Sequence, residues 1–385
     1  MSGLKQGTLA RNASLIIVFA ESTSYALILP ILPFVVVSLG EAAFVGGIIV
    51  GCQAASAALF SPILGRYSDK YGRRNAIAVS LGVSVIGGIL FALSTNIALL
   101  MISRLLAGVA SSNIGVLQAA AVEQTSRKYR PKIIGRLSSA WALGFIVGPL
   151  ISSVTTAGTD VPLSYAGWFT AVLSFGGLSL SLVAYRDSTN TGREQKSRRE
   201  LLHRIRRPSV FASCILAFIQ TGTIAMLGYW ALNKYGWQEE EVAGLIFLVA
   251  GFIIAAQLIA LPALVRGWGN FRSFQAMILL MMIGCVILAL SASAGSAIIG
   301  SILLFSSLTL AQSLITNMTS ISADELEQGL ELGILNGAAN IGRVFGPVLF
   351  GWSFINISSN AQFYISISLC AFVLLIIHFF KYRYR

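Results

Sequence analysis

Residues 65–74 have the sequence Gly65-Arg66-Tyr67-Ser68-Asp69-Lys70-Tyr71-Gly72-Arg73-Arg74 and separate two long apolar runs. Gly65 and Gly72 predict a tight backbone turn at each end of the stretch, because glycine adopts conformations that other residues avoid. Basic residues in the short loops of a membrane protein concentrate on the cytoplasmic side. The stretch therefore predicts a cytoplasmic turn between two membrane helices.

The composition of the chain agrees with this interpretation. Hydrophobic residues make up 56% of the 385 residues, charged residues only 11%, and the mean hydropathy is +0.78. These values indicate a polytopic membrane protein, since soluble domains have about 25% charged residues. The net charge of +12 does not indicate a nucleic-acid partner, because the basic residues fall in short loops between apolar spans.

No pattern typical of an enzyme, a metal site or a nucleotide site occurs in the sequence. The four cysteines lie inside apolar runs without C-x-x-C spacing, the two histidines have no partner nearby in sequence, and a phosphate-binding G-x-x-x-x-G-K-[ST] motif is missing. We expect no enzyme activity, no cofactor and no disulfide. We also expect no cleavable signal peptide, because the polar residues 1–12 precede an apolar run that is too long for one.

Apolar windows long enough to cross a hydrocarbon core of about 30 Å recur along the chain. They predict twelve transmembrane helices, at residues 13–38, 42–64, 75–94, 97–121, 132–156, 164–185, 209–232, 240–262, 273–293, 296–320, 331–353 and 361–380. The prediction is an all-α polytopic membrane protein with an N-terminal six-helix bundle (1–185), a basic cytoplasmic linker (186–207) and a C-terminal six-helix bundle (208–385).

The distribution of basic residues predicts the orientation of the chain. Of the 27 Lys and Arg residues, 23 fall in the two termini and in the loops on one side of the predicted helices. Lys234 lies on the opposite side, and Arg104, Arg136 and Arg343 lie within or at the edge of helices. Both termini are therefore expected to be cytoplasmic.

The two halves of the chain carry the same glycine pattern. Gly135, Gly144, Gly148 and Pro149 in predicted helix 5 recur 198 residues later as Gly333, Gly342, Gly346 and Pro347 in predicted helix 11. Parallel repeats of this kind build transporters in which one half rocks against the other. The glycines predict a hinge or rocking interface on helices 5 and 11; the alternative is ordinary tight helix packing without motion.

Three motifs resemble signatures of the major facilitator superfamily. They are the stretch 65–74, Arg104-Leu105-Leu106-Ala107-Gly108 in helix 4, and Gly144-Phe145-Ile146-Val147-Gly148-Pro149 in helix 5. The last motif, together with the helix 1 segment from Glu21 to Pro33, is similar to the twelve-helix drug:proton antiporter branch. The resemblance implies two pseudo-symmetric six-helix bundles. With Gly267 where the first half has Asp69, the second half departs from the pattern.

The charged residues near the first cytoplasmic turn predict a latch on the cytoplasmic gate. Asp69, Arg73, Glu123 and Arg130 are expected to hold the inner gate shut in the outward-facing state, with Glu123 and Arg130 resembling the family's second charged pair. The sequence also assigns Gly65, Gly72 and Arg74 to this region. The alternative is that these charges only set the topology and cap helices.

Two charges lie deep in predicted helices, where a charge is costly and is a functional candidate by default. Glu21 lies eight residues into helix 1, which is ~12 Å from the inner surface, and Arg104 in helix 4 is ~20 Å from it. Glu21 is expected to carry the proton, so that proton and substrate compete for one carboxylate, and Arg104 is a candidate relay residue. Two alternatives are a permanent structural pair between them and a scaffold role for Arg104.

Polar and aromatic residues in mid-helix are candidates for the substrate cavity, although most isolated amides in membrane bundles only bond across helices. These candidates are Tyr25, Gln53, Asn113, Gln118, Trp141, Gln220, Trp230, Gln257, Gln312, Asn336, Asn340 and Arg343. With Arg104, Arg343 would favour an anionic solute in the cavity; the alternative is that Arg343 bonds to helix-end carbonyls or extends to the interface.

These observations predict a proton-coupled antiporter that exports small amphipathic compounds by alternating access. The alternatives are uptake or exchange of an anionic or neutral metabolite, and a membrane sensor that transports nothing. The expected partners are a small-molecule substrate, protons and the lipid bilayer, without nucleic acid. We expect a protein that functions as a monomer in a bacterial or archaeal cytoplasmic membrane.

Overall fold

The structure is a computed structural model that describes residues 2–125, 129–156, 162–185, 208–321 and 328–379. This part of the chain contains only helices and their connections. The helices are α1 (Ser2–Ile28), α2 (Leu32–Ser38), α3 (Ala43–Tyr71), α4 (Arg73–Ala92), α5 (Ile97–Ser111), α6 (Ile114–Glu123), α7 (Arg130–Thr156), α8 (Pro162–Ala184), α9 (Pro208–Tyr235), α10 (Glu239–Ala255), a π-helical turn (Ala256–Ala260), α11 (Leu261–Leu290), α12 (Ala294–Ile321), α13 (Gln328–Asn356) and α14 (Ala361–Phe379).

The helices of the described residues combine into the twelve predicted spans. By length and hydropathy alone, eight helices qualify as spans, or nine when α1 and α2, bent by 41°, count as one. The 52-residue run Glu239–Leu290 contains two spans, because Gly269 interrupts the helix with a non-helical φ of 73° and ψ of 167°. The helices α13 and α14 complete the set, and the prediction of an all-α fold with twelve spans is confirmed.

Two spans are broken at positions that local chemistry explains. The first breaks at Pro30, which has no backbone N–H to donate to the preceding helical turn. The fourth breaks at Ser112 and Asn113, between α5 and α6. There the side-chain hydroxyl of Ser112 donates to the carbonyl of Val109, 2.6 Å away, and so competes for the helical hydrogen bond.

The prediction of a turn at Gly65 was wrong. The helix α3 continues through Gly65 to Tyr71, and only Gly72 turns the chain, with a φ of 90° and ψ of 156°. Hydropathy falls at Gly65 because polar residues begin there, but polar residues continue a helical hydrogen-bond ladder as well as apolar ones. A fall in hydropathy therefore marks the edge of the apolar span and not the end of the helix.

The corresponding turn of the second half lies at Gly269, where the backbone conformation resembles that of Gly72. This position is 197 residues after Gly72, whereas the glycine pattern predicts a displacement of 198. Arg266 therefore corresponds to Asp69, in place of the predicted Gly267. Asn270 corresponds to Arg73 and accepts a hydrogen bond from the amide of Asn317 at 3.1 Å.

The residues fall into two compact units. The first comprises Met1–Glu41, Cys52–Arg193 and Gln238–Phe247. Its core lies where α1 packs against α7 and α8, and α4 packs against α5 and α8. Fully buried aliphatic side chains fill this core, among them Ile17, Ile77, Leu81, Leu117 and Leu137.

The second unit comprises Ala42–Gly51, Glu194–Trp237 and Leu248–Arg385. It is built around two long helix pairs, α9 with α13 and α11 with α12. Trp230 is fully buried in this unit, where its indole N–H donates to Asn360 at 2.9 Å and its ring meets Phe363 edge to face. The division of the sequence at residues 185 and 208 stays a prediction, and the linker 186–207 lies outside the described residues.

Candidate functional site

The glycines of α7 and α13 hold equivalent positions in the two units. A Cβ added at Gly144 would lie 2.6 Å from the carbonyl oxygen of Phe19 and 2.8 Å from the amide nitrogen of Thr23 on α1. A Cβ at Gly342 would meet the carbonyl oxygen of Cys214 and lie 2.8 Å from the nitrogen of Phe218 on α9. These glycines allow two helix backbones to approach closely within each unit.

The two contacts align α1 with α9. Phe19 corresponds to Cys214 and Thr23 to Phe218, a displacement of 195 residues in both cases. The second glycine pair gives the same displacement, because Gly148 meets Thr23 and Leu27 where Gly346 meets Phe218 and Gly222. Counted in the same way, the residue that corresponds to Glu21 is Leu216, which is fully buried.

The carboxyl of Glu21 is buried in the first unit, with only 9% of the residue exposed. It projects from the C-terminal third of α1 toward α4 and α8, where the hydroxyl of Ser84 donates to Glu21 Oε1 at 3.3 Å. The hydroxyl of Ser174 lies 2.8 Å from that of Ser84. A hydroxyl can donate to a carboxylate or accept from a protonated acid, so these partners serve both protonation states.

Arg104 is also buried in the first unit, with 3% of the residue exposed. Its guanidinium carbon lies 4.3 Å from the centre of the Phe91 ring, and its Nε donates to the hydroxyl of Ser103 at 3.5 Å. The ion pairs found in the described part of the chain all involve Arg73. Glu21 and Arg104 are therefore not joined as the permanent pair that the sequence left open.

Three aromatic rings form a cluster one helical turn beyond Glu21. Tyr25 on α1 lies 6.5 Å from Trp141 and 5.8 Å from Phe145 on α7, centre to centre. The two α7 rings are 6.3 Å apart. All three side chains are half-buried, so part of the aromatic surface of the cluster is exposed. Such surfaces bind apolar compounds and, through their ring faces, organic cations.

Arg73 joins two acids at the turn after α3. One guanidinium nitrogen lies 2.8 Å from Asp69 and 2.7 Å from the hydroxyl of Ser68, and the other lies 2.8 Å from Glu123. The Nε atom also donates to Glu123 at 3.2 Å, which makes a two-pronged contact between α4 and the end of α6. Arg130 begins α7, and its side chain lies outside the described part.

The remaining cavity candidates have varied surroundings. Gln118 and Asn336 are exposed, and Gln53, Gln220, Gln257 and Gln312 are half-buried, Gln257 within the π-helical turn. Asn113 is fully buried and donates to Ser80 at 3.1 Å. Asn340 accepts from Arg343 at 2.6 Å on the same helix. Fully buried Trp230, in contrast, packs in the core of its unit and does not line accessible space.

Sequence reasoning missed the partners of the two buried charges. Ser84 on α4 and Ser174 on α8 lie 63 and 153 residues along the chain from Glu21, and Phe91 lies on α4, the helix that precedes Arg104. The one available signal was that Ser84 and Ser174 are polar residues inside apolar runs. Among the described residues no group of three His, Cys, Asp or Glu side chains is arranged to hold a metal ion.

Comparison with known proteins identifies the family of the chain. The sequence profile described as Major Facilitator Superfamily matches residues 14–325. The chain belongs to the Major Facilitator Superfamily. It is therefore an integral membrane protein of a transporter family, as the three motifs suggested.

Resistance proteins of two bacteria resemble the chain over nearly its full length. Multidrug resistance protein 1 of Bacillus subtilis is 26% identical over 355 residues, which are 90% of each chain. Tetracycline resistance protein, class H, of Pasteurella multocida is 26% identical over 360 residues, 88% of this chain and 87% of its own. The crystal structure of the human organic anion transporter MFSD10 (TETRAN) has the same fold, with a TM-score of 0.71 at 16% identity over 96% of this chain and 99% of its own.

Proposed function

We propose that the protein is a proton-coupled antiporter that exports small amphipathic, drug-like compounds across a bacterial inner membrane by alternating access. In this proposal Glu21 carries the proton. The relatives named for multidrug and tetracycline resistance support export of such compounds. Proton coupling is supported by the surroundings of Glu21.

The observation that carries the proposal is a buried acid that the fold does not require. The second unit places Leu216 at the position of Glu21 and packs it fully. A buried carboxyl costs a few kcal/mol at the centre of a membrane, so it is retained for a function. With hydroxyl partners and no cationic one in the described residues, Glu21 is able to take up and release a proton without breaking an ion pair.

The aromatic cluster of Tyr25, Trp141 and Phe145 supplies the surface for an amphipathic substrate. Substrate bound there would lie one helical turn from the Glu21 backbone. A cationic compound on the ring faces would be stabilised further by an ionised carboxylate nearby. The substrate therefore favours release of the proton, and protonation favours release of the substrate, which is the competition that antiport needs.

Trp141→Ala is expected to raise the KM for a lipophilic aromatic cation about tenfold, because one aromatic contact contributes about 0.5–1.5 kcal/mol beyond the area that it buries. The kcat at saturation should change little. Trp168→Ala is the matched control, since Trp168 on α8 is 46% exposed and lies outside the cluster. Initial rates of efflux against substrate concentration measure the effect, and an equal KM for the two variants would contradict the role of the cluster.

The contacts of Arg73 are proposed to stabilise one state of the transport cycle. The Glu123 side chain is 28% exposed and connects separate helices, whereas the Asp69 side chain is 54% exposed and pairs within its own turn. Exposed pairs contribute about 0–1 kcal/mol and partly buried, two-pronged ones contribute more. The Glu123 contact should therefore matter more than the Asp69 contact.

We expect Glu123→Gln to slow turnover about fivefold, the effect of losing about 1 kcal/mol from one state, and Asp69→Asn to slow it less. The dissociation constant for substrate should stay unchanged in both variants, because neither acid belongs to the proposed binding surface. Glu240→Gln, a change at an exposed acid of α10, is the control. Weaker binding at an unchanged turnover rate would rule out a conformational role for these contacts.

A second candidate function is transport of an organic anion. It is favoured by Arg104, a buried cation that has no acidic partner among the described residues. An anionic substrate would then bind at Arg104, and Arg104→Gln would abolish its binding while Glu21→Gln would not.

The test of the proposed function uses cells that express the wild-type protein, with a fluorescent lipophilic cation and a fluorescent organic anion as probes. A proton-coupled exporter of cations lowers accumulation of the cation, and a protonophore restores it. Lower accumulation of the anion alone would favour the second candidate. If a correctly inserted protein changes neither probe, drug export is contradicted.

A further inference from the structure

A pocket of about 270 Å³ lies in the first unit, away from the buried charges. It is formed where the first turns of α1, the end of α6 and the first turns of α7 converge. The lining residues are Thr8, Arg11, Asn12, Thr125, Tyr129, Ile133 and Arg136. Arg11 precedes Glu21 by ten residues on the same helix, which is ~15 Å at ~1.5 Å per residue, so the pocket is separate from the proposed proton site.

The pocket is lined mainly by polar residues and contains two positive charges. Among the described residues, the hydrogen bond of the Arg11 guanidinium runs from Nη2 to the hydroxyl of Thr8 at 3.0 Å and does not engage its other N–H groups. Arg136 is exposed in the pocket wall. Neither arginine forms an ion pair with an acid of the described residues, and no lining residue is acidic. Two guanidinium groups with neighbouring hydroxyl and amide groups match the oxygens of a phosphate.

The size of the pocket favours a small charged group over a drug substrate. The apolar surface near it favours a lipid over a free anion. Its volume of about 270 Å³ lies at the small end of the ~300–1,000 Å³ typical of pockets for drug-sized ligands, which suits a headgroup better than a bulky drug. Leu9 and Ile134, which follow the lining residues Thr8 and Ile133 in sequence, are 41% and 45% exposed, so the same helix turns also carry apolar surface that an acyl chain could contact. Basic pockets between membrane helices bind anionic headgroups in this way.

We propose that this pocket binds the phosphate group of an anionic phospholipid, with Arg11 and Arg136 as its ligands. The lipid would fix the spacing between the first turns of α1 and α7. This proposal concerns a lipid site and does not depend on proton coupling or on the identity of the transported substrate.

The experiment measures binding of dioctanoyl phosphatidylglycerol to the purified full-length protein in detergent. Arg11→Gln/Arg136→Gln is compared with the wild type and with Arg266→Gln/Arg272→Gln, which removes two charges outside the pocket. We expect the first variant to bind at least about tenfold more weakly, because it loses the charge-assisted hydrogen bonds of two guanidinium groups. The control variant should bind like the wild type.

Competition with inorganic phosphate distinguishes the two sources of a phosphate group. If phosphate does not displace the lipid, the site recognises the phospholipid, as proposed. If millimolar phosphate displaces it, the site is one for soluble phosphate and the lipid assignment is overturned. Equal affinities of the pocket and control variants would overturn the site itself.

A thermal unfolding curve shows whether each variant is folded. If the glutamine variant is not folded, Arg11→Lys/Arg136→Lys replaces it, since lysine keeps the charge but not the two-pronged geometry. Binding several-fold weaker than the wild type is then expected, and unchanged binding would contradict the assignment of the two guanidinium groups.

Discussion

Glu21→Gln is expected to abolish transport driven by a pH gradient and to weaken binding of a cationic substrate, which the aromatic cluster still binds at saturating concentration. Glutamine has nearly the same shape and still bonds to Ser84, but it cannot exchange a proton. Loss of a proton-transfer group reduces a rate by about 10²–10⁴-fold. In proteoliposomes with an imposed pH gradient, uptake against the substrate gradient should fall to the level of empty liposomes, whereas exchange of labelled for unlabelled substrate should continue.

Two further variants separate this effect from misfolding. Glu21→Leu makes the first unit resemble the second, where Leu216 is fully buried, so it should fold and should lose proton coupling in the same way. Glu240→Gln removes an exposed acid and should transport like the wild type. Gradient-driven uptake by a folded Glu21→Gln protein at the wild-type rate would show that another group carries the proton.

The largest effect on stability is expected at the glycines that bring α9 and α13 together. A Cβ at Gly342 would meet the carbonyl oxygen of Cys214 and lie 2.8 Å from the nitrogen of Phe218. Both atoms belong to the backbone of a helix, so neither can move without shifting the helix. We expect Gly342→Ala to cost about 3 kcal/mol or more, at or above the upper end of typical overpacking.

Gly333→Ala is the matched control on the same helix, because a Cβ at Gly333 would meet no atom within 4 Å. Alanine is a better helix former than glycine by about 1 kcal/mol, so this change should leave stability the same or raise it. The yield of monodisperse protein and the thermal unfolding temperature measure both changes. Similar melting of the two variants would show that α9 and α13 do not pack as closely as described.

Hydropathy and glycine spacing were sufficient to predict the twelve spans and the repeat. Both follow from local properties: an apolar length that fits a bilayer, and small residues four positions apart on one helix face. The end of α3 was not predictable in this way, because the helix extends past its apolar part to Tyr71. The break of α1 at Pro30 was implied by chemistry, yet a hydropathy window averages over it.

The candidate site was predictable only in part. The apolar runs around Glu21 and Arg104 identified these residues as candidates, because a charge inside an apolar run is conspicuous in the sequence. Their partners were not predictable, since Ser84 and Ser174 are ordinary residues whose role depends on how α4 and α8 pack against α1. Trp230 was predicted to line the substrate cavity but is fully buried in the core of its unit. An aromatic residue in the middle of a helix gives the same sequence pattern in both places.

The central claim is that substrate and proton compete for Glu21, and release of protons on substrate binding tests it most directly. The purified protein is placed in a weakly buffered solution with a pH indicator, and a saturating lipophilic cation is added. We expect the wild type to release protons in proportion to the substrate bound, and Glu21→Gln to bind the cation without releasing any. Equal proton release by both proteins, or binding by the wild type without release, would contradict it.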